Sequence, residues 1–239
     1  MADFTTNGFL NALAPTDRKL LEDHASLVTL THSQQLHEQH QKIEFVHFPL
    51  SGIISFLTVM KNGTAVESAM ISASGASGVA VGLGRPLGIN RAIVQAPGMA
   101  FRIPAAQFLK ATRQSATLVL RIGAYQENLL AQVQQTAVCN GVHTAEQRLS
   151  RWLLQAQDHI ADGEVIPFTQ EFLSHMLGVR RSTVTLIAAS LQRAGSIRYA
   201  RGRIQILDRS AVKRSTCECY DVIRKLSDSH TNAARPKKH

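Results

Sequence analysis

The chain has 239 residues, 44% of them hydrophobic and 18% charged, so it can bury a substantial core and is not a disordered or low-complexity chain. Its formal net charge of +9, from 26 Lys and Arg against 17 Asp and Glu, favours a polyanionic partner over an acidic one. No apolar run reaches about 18 residues, and the first residues lack a basic start followed by a long apolar stretch, so a cytoplasmic protein with no membrane partner is expected.

In chain order, residues 11–30 read as a short helix with Leu20, Leu21 and Leu27 among polar positions. Residues 42–104 change character: Val, Ile and Phe cluster in short runs separated by Gly, Pro and Asn. The run Gly52–Val59 reaches Lys61-Asn62-Gly63, and Thr64–Ile71 follows as its return strand. Asn-Gly supplies the two positive-φ positions of a type I′ turn, so a hairpin is predicted there. Arg91–Gln95 and Met99–Ile103, parted by Ala96-Pro97-Gly98, add further strands. Many brief strands without helical pattern between them point to a sandwich or small barrel.

From about Ala105 the period changes. Leu118, Ile122, Tyr125, Leu129, Gln132 and Thr136 recur at alternating spacings of four and three, which places them in one stripe of a helix over residues 113–138. Leu118, Ile122, Tyr125 and Leu129 are assigned to a dimerisation seam with a twin helix; the alternative is that the helix packs on its own barrel. Thr144 and Gln147 form a capping box ahead of a helix carrying Leu149, Trp152 and Leu153, and Asp162-Gly163 interrupts it.

The charge is concentrated late in the chain. Residues 140–239 hold 16 basic against 9 acidic side chains, and Arg180 to Arg214 holds nine basic residues and one acid, Asp208. Within that block Thr169 is an N-cap, with Phe168 and Leu173 as its hydrophobic staple, for a helix to about Leu177. Gly178 permits a tight reversal, a second helix starts near Arg180–Ser182, and Gly195 stops it. Val184, Ala188 and Leu191 face inward, which leaves Arg180, Arg181, Ser182, Thr183 and Thr185 on or near the leading turns, where such side chains reach base edges in a major groove. Ile197–Ile206 reads as two strands around a glycine turn, a basic wing whose Arg201 and Arg203 suit backbone phosphates. Asp208 caps a last helix, with Leu207 and Val212 as its staple.

The segment Phe168-Thr-Gln-Glu-Phe-Leu-Ser-His-Met-Leu-Gly-Val-Arg-Arg-Ser-Thr-Val-Thr, followed by Leu191-Gln-Arg-Ala-Gly-Ser-Ile, resembles the winged helix-turn-helix of the bacterial Crp/Fnr superfamily of transcription regulators. The resemblance covers about residues 15–225 and implies an α+β chain. An N-terminal double-stranded β-helix (a cupin-like β-roll of the cyclic-nucleotide-binding type) spans 15–112, a long dimerisation helix 113–139, a C-terminal winged helix-turn-helix 140–226 and a flexible polar tail 227–239. It implies a homodimer on roughly palindromic double-stranded promoter DNA, with RNA polymerase as a candidate partner and a small-molecule effector as a candidate signal. The family's base-reading arginine falls on Arg181; its neighbouring glutamate is replaced by Ser182 and a second arginine by Leu186, while Arg180 stands where many members have Ser.

The sensing end departs further from the family. The segments that hold ribose and phosphate in cyclic-nucleotide-binding members align approximately with Gly78-Val79-Ala80 and Asn90-Arg91, and Val79 cannot accept a ribose hydroxyl, so a cyclic nucleotide is not expected. Gly75, Gly78, Gly82, Gly84 and Gly88 are read as turn residues rather than a phosphate cradle. An iron–sulfur cluster is not expected, because no cysteine precedes Cys139. Cys217 and Cys219 lack two further cysteines nearby and are read as ordinary helix residues; three cysteines also make a poor disulfide framework. His24, His32, His37, His40 and His47 are read as scattered polar-surface residues rather than metal or haem ligands. No cofactor, metal or catalytic residue is therefore assigned. His143 with Glu146, or His175 with Glu171, forms no linked nucleophile, base and oxyanion site, so an enzyme is not expected. The competing reading is a small-molecule sensor module without sequence-specific DNA binding.

Overall fold

The computed structural model describes residues 3–160, 165, 166 and 168–232. The Asp162-Gly163 interruption and residues 233–239 of the expected tail lie outside the described residues. Helices α1 (Gly8–Asn11) and α2 (Pro15–Glu22) lead into strands β1 (Ser26–Leu30), β2 (Gln35–His37), β3 (Phe45–Pro49), β4 (Ile53–Val59), β5 (Ala65–Ile71), β6 (Arg91–Ala96) and β7 (Gly98–Pro104). The antiparallel strands form two sheets, in the orders β1-β7-β3 and β2-β6-β4-β5. The helix expected over 11–30 therefore ends early: residues 26–30 pair with β7, because Leu27-Val28-Thr29 completes the first sheet.

The hairpin between β4 and β5 is present, but its turn is not type I′. Of Asn62 and Gly63 only Gly63 has positive φ, at 84°, and the Met60 amide reaches the Thr64 carbonyl at 2.8 Å across a longer loop. The Asn62 side chain accepts from the Thr64 amide at 3.0 Å, a local bond that holds the turn in another way.

After α3 (Ala105–Thr112), the 27-residue helix α4 (Ala116–Val142) runs along both sheets. Its start is pinned: Ser115 caps it and donates to Asp17 Oδ1 at 2.6 Å, while Thr117 donates to Asp17 Oδ2. Leu118 and Ile122 are fully buried and Tyr125 is 3% exposed, all in the core of their own chain with Phe9, Phe48 and Phe108. Leu129 is half-buried against the same core. The seam assigned to Leu118, Ile122, Tyr125 and Leu129 is thus corrected: their stripe is apolar because it packs on the sheet domain. Two of the glycines read as turn residues also serve this packing. A Cβ at Gly75 would lie 2.7 Å from the Tyr125 hydroxyl, and one at Gly82 would lie 2.8 Å from Ile122 Cδ1.

A second core follows in α5 (Ala145–Gln157), α6 (Gln170–Leu177), α7 (Arg181–Arg193), the β8–β9 hairpin (Ile197–Ala200, Arg203–Ile206), α8 (Arg209–Arg214) and α9 (Cys219–Asn232). The Thr144/Gln147 capping box is present at α5. Helix α9 continues to Asn232, so the part of the expected tail from 227 to 232 is helical. Leu149, Trp152, Leu153, Leu173, Val184, Leu191, Ile197 and Ile204 form this core, and Ile53, Met70 and Ala96 of the sheet domain join it.

The Tyr125 hydroxyl donates to the Ala76 carbonyl at 2.8 Å and accepts from the Ala76 amide at 3.0 Å. Tyr125→Phe leaves two buried backbone groups unpaired and is expected to lower stability by about 1–3 kcal/mol, read as a fall in the urea midpoint with unchanged slope.

Candidate nucleic-acid interface

The helix-turn-helix is built by local chemistry. Thr169 accepts from the Phe172 amide at 3.1 Å to start α6, and Gly178, with φ of 61°, supplies the left-handed residue that ends it. Helix α7 begins at Arg181, with Arg180 as an N-cap whose side chain does not bond the first-turn amides. Val184, Ile187, Ala188 and Leu191 are buried, so the opposite face is left to solvent.

That outer face carries the residues assigned from sequence. Arg180, Arg181, Ser182 and Thr185 are exposed and Thr183 is half-buried. Thr185 donates to the Arg181 carbonyl at 3.0 Å, which leaves its oxygen as an acceptor. Arg181 Nη2 lies 2.5 Å from Glu171 Oε1, with both side chains more than half exposed. Glu171 thus faces Arg181 rather than forming a pair with His175. Leu186, 72% exposed, is the large apolar side chain of this face.

The wing turns at Arg201 and Gly202, whose φ angles are 50° and 72°. Two consecutive positive values make a tight hairpin that lifts Arg201 and Arg203 into solvent. Thr169, Gln170, Glu171, Arg181, Tyr199 and Arg201 line one open cleft between α6, α7 and the wing. All seven residues assigned to DNA lie on α7, at its cap or in the wing. The four assigned to dimerisation lie on α4, three of them in the sheet-domain core.

The sheet domain holds a cavity of about 570 Å³, lined by Ile43, Phe56, Val79, Leu87, Ile89, Asn90 and, from α4, Tyr125 and Leu129. Its wall is mainly apolar. Arg91, the approximate counterpart of a phosphate-binding arginine, is tied to Glu38 by bonds of 2.7 and 2.8 Å. Those bonds hold the Glu38 carboxyl below the usual carboxylate range. His37 and His47 are 7% and 4% exposed, so two of the five expected surface histidines are interior residues. Burial lowers the His37 pKa; burial, then Arg102 and His37, lowers that of His47 to about 4.

Sequence reasoning missed the joint between the two cores. Trp152 of α5 donates its indole N–H to Glu67 Oε1 of β5 at 2.7 Å, and Ser55 donates to Glu67 Oε2 at 2.5 Å. The ladder shifts register at Phe56/Leu57, so Glu67, opposite Leu57, lies on the face of Ser55 and Met70 that meets the helix-turn-helix core and not on the face of Ala69. Simple strand alternation therefore gave no signal of it. Burial pushes its carboxyl from an ordinary 4.5 to about 7, although Ser55, Trp152 and then Arg151 oppose the rise. The structure also gathers Cys139, His143, Cys217 and Cys219 in one cluster, where the sequence had suggested unrelated residues. His143 faces Glu218 at 3.3 Å rather than Glu146. Its signal was the one-turn spacing of Cys139 and His143.

A family model described as a Crp-like helix-turn-helix domain matches residues 147–215. No curated protein matches the sequence. Among solved structures, a putative transcriptional regulator of the Crp/Fnr family from Eubacterium rectale is similar at 17% identity and a TM-score of 0.68, over 85% of this chain and 95% of that one. FixK2 from Bradyrhizobium japonicum is similar at 14% identity and 0.65, over 81% and 98%. A Crp/Fnr-family regulator from Thermus thermophilus is similar at 19% identity and 0.64, over 86% and 100%. The chain has the Crp/Fnr-superfamily fold. Its helix-turn-helix region is the Crp-like part, and the Trp152–Glu67 joint lies between that part and the sheet domain. No helix among the described residues is long and apolar enough to cross a membrane.

Because the folded Glu67 binds its proton more tightly than the unfolded chain does, its contribution to stability is complete below about pH 4.5 and is lost as pH rises through about 7. Glu67→Gln keeps an acceptor for Trp152 and has no charge to bury. Its urea midpoint is expected to stay flat across that window while the wild type declines by the equivalent of about 3 kcal/mol. Parallel declines would show that Glu67 does not set the slope.

Proposed function

We propose that the chain is a sequence-specific DNA-binding transcription regulator that acts as a homodimer on a roughly palindromic promoter site. The observation that carries this reading is the open cleft shared by Arg181 of α7 and Arg201 of the wing, with exposed Arg180 at the cap of α7 and exposed Arg203 on the wing. Arg181 exchanges Glu171 for a base edge and so enters the groove already oriented, while Arg201 and Arg203 hold phosphates. Ser182 and Leu186 make the site differ from the family's familiar operator. An exposed leucine on this face suits a thymine methyl group.

With the inner stripe of α4 occupied, pairing falls to its outer face. Leu120, Gly123, Leu130, Ala137 and Gly141 recur at coiled-coil spacing, with Leu120 and Leu130 72% and 56% exposed. The two sheets serve as the β-roll sensor, with the cavity taking a largely apolar effector beside Arg85. Such a molecule touches Tyr125 and Leu129, so its binding energy depends on where α4 sits and biases the separation of the two α7 helices. RNA polymerase is the partner that a promoter-bound dimer would meet.

Selection of duplexes from a random pool is expected to return two half-sites related by a dyad. Arg181→Ala should weaken the preferred site by about 1–3 kcal/mol more than random duplex at fixed salt; equal losses would remove its base-reading role. Small-molecule binding without any preferred duplex would favour the sensor-module alternative. Leu120→Glu with Leu130→Glu should sediment as a folded monomer with unchanged circular dichroism, whereas a surviving dimer would place the interface elsewhere.

A further inference from the structure

Cys139 and His143 stand one turn apart on the last turns of α4, with His143 as its C-cap. Cys217 and Cys219 lie on the entry to α9 and at its first residue. The three thiols are buried, and they form a cluster of their own apart from the hydrocarbon cores. Their Sγ atoms and one ring nitrogen of His143 all lie within 4.8 Å of one another. Cys139 Sγ is 3.6 Å from Cys217 Sγ, and Cys219 Sγ is 3.6 Å from His143 Nδ1.

These spacings fit the edges of a metal tetrahedron. Zinc–sulfur bonds of about 2.3 Å and zinc–nitrogen bonds of about 2.0–2.1 Å give sulfur–sulfur edges of roughly 3.8 Å and sulfur–nitrogen edges of roughly 3.6 Å. We propose that Cys139, His143, Cys217 and Cys219 form a structural zinc site that ties the end of the long helix to the C-terminal helix.

The surroundings are those such a site requires. His143 would bind through Nδ1, and its Nε2 lies 3.3 Å from Glu218 Oε2, the carboxylate contact that orients a metal-bound imidazole. Gln135 donates to Cys219 Sγ at 3.0 Å, a bond that supports a thiolate. Three thiolates and a divalent ion leave one negative charge, and Arg151, 6% exposed, acts electrostatically on Cys139 from α5. A disulfide between Cys139 and Cys217 would account for two of the four groups, whereas zinc uses all of them. Closing the ring releases up to three thiol protons and spans a separation of 78 residues, so the ion cross-links the ends of the DNA-binding half.

The test uses the reduced full-length chain stripped with a chelator. Cobalt(II) should bind one equivalent, with the intense visible bands of a tetrahedral thiolate site and a sulfur-to-cobalt charge-transfer band, and zinc should displace it. Zinc should also raise the melting temperature. Gln135→Leu, which leaves all four ligands in place, should weaken metal binding by about tenfold. His143→Gln should shift the visible bands, and Cys217→Ala with Cys219→Ala should abolish them while circular dichroism stays unchanged. Absence of tetrahedral thiolate bands in the reduced wild type would overturn the proposal. So would bands that survive the double variant, or thiols that are lost in pairs on oxidation in a chain that takes up no metal when reduced.

Discussion

The bond between Trp152 and Glu67 joins two domains that the chain builds from different kinds of element. An indole N–H and a carboxylate are each costly to bury alone, and here each supplies the other's partner at 2.7 Å. The contact lies within apolar packing that crosses the same boundary, with Ile53, Met70 and Ala96 in the core of the helix-turn-helix domain. The helix-turn-helix half is therefore seated on the β2-β6-β4-β5 sheet. A rearrangement of the two halves must break or re-form a buried polar pair, which makes this joint a natural place for two discrete arrangements to differ.

Helix α4 connects the other parts to that joint. Its inner stripe is consumed by the sheet domain, it contributes Tyr125 and Leu129 to the cavity wall, and it ends at Cys139 and His143. One 27-residue element thus touches the cavity, the domain boundary and the thiol cluster. The Glu38–Arg91 pair lies next to the cavity rather than in its mainly apolar wall, where Arg85 is the cationic residue.

Much of the helix-turn-helix half was legible in residue order. Thr144 with Gln147, Thr169, Gly178, Gly195 and Asp208 act through bonds and dihedrals within a few residues, and each stands at the element boundary that its chemistry indicates. The basic stretch was equally plain, because charge on a helix whose other face is apolar must face solvent. The exceptions near the N-terminus have tertiary causes. Residues 26–30 became a strand because β7 offered a partner, and the Asn62-Gly63 turn lengthened to suit the register of β4 against β5.

By itself the sequence determined the capped helix starts and stops of the helix-turn-helix, the exposed face that carries Arg180, Arg181, Ser182 and Thr185, and the wing of Arg201 and Arg203, since local periodicity and capping decide all of these. It also determined that Leu118, Ile122 and Tyr125 share one buried stripe. Only the tertiary structure decided what buries that stripe, because periodicity reports that a face is apolar and says nothing of whether a twin helix or the chain's own sheet covers it. The same holds for Glu67 with Trp152, and for Cys139 and His143 with Cys217 and Cys219: their partners are distant in sequence, and folding alone brings them within bonding distance.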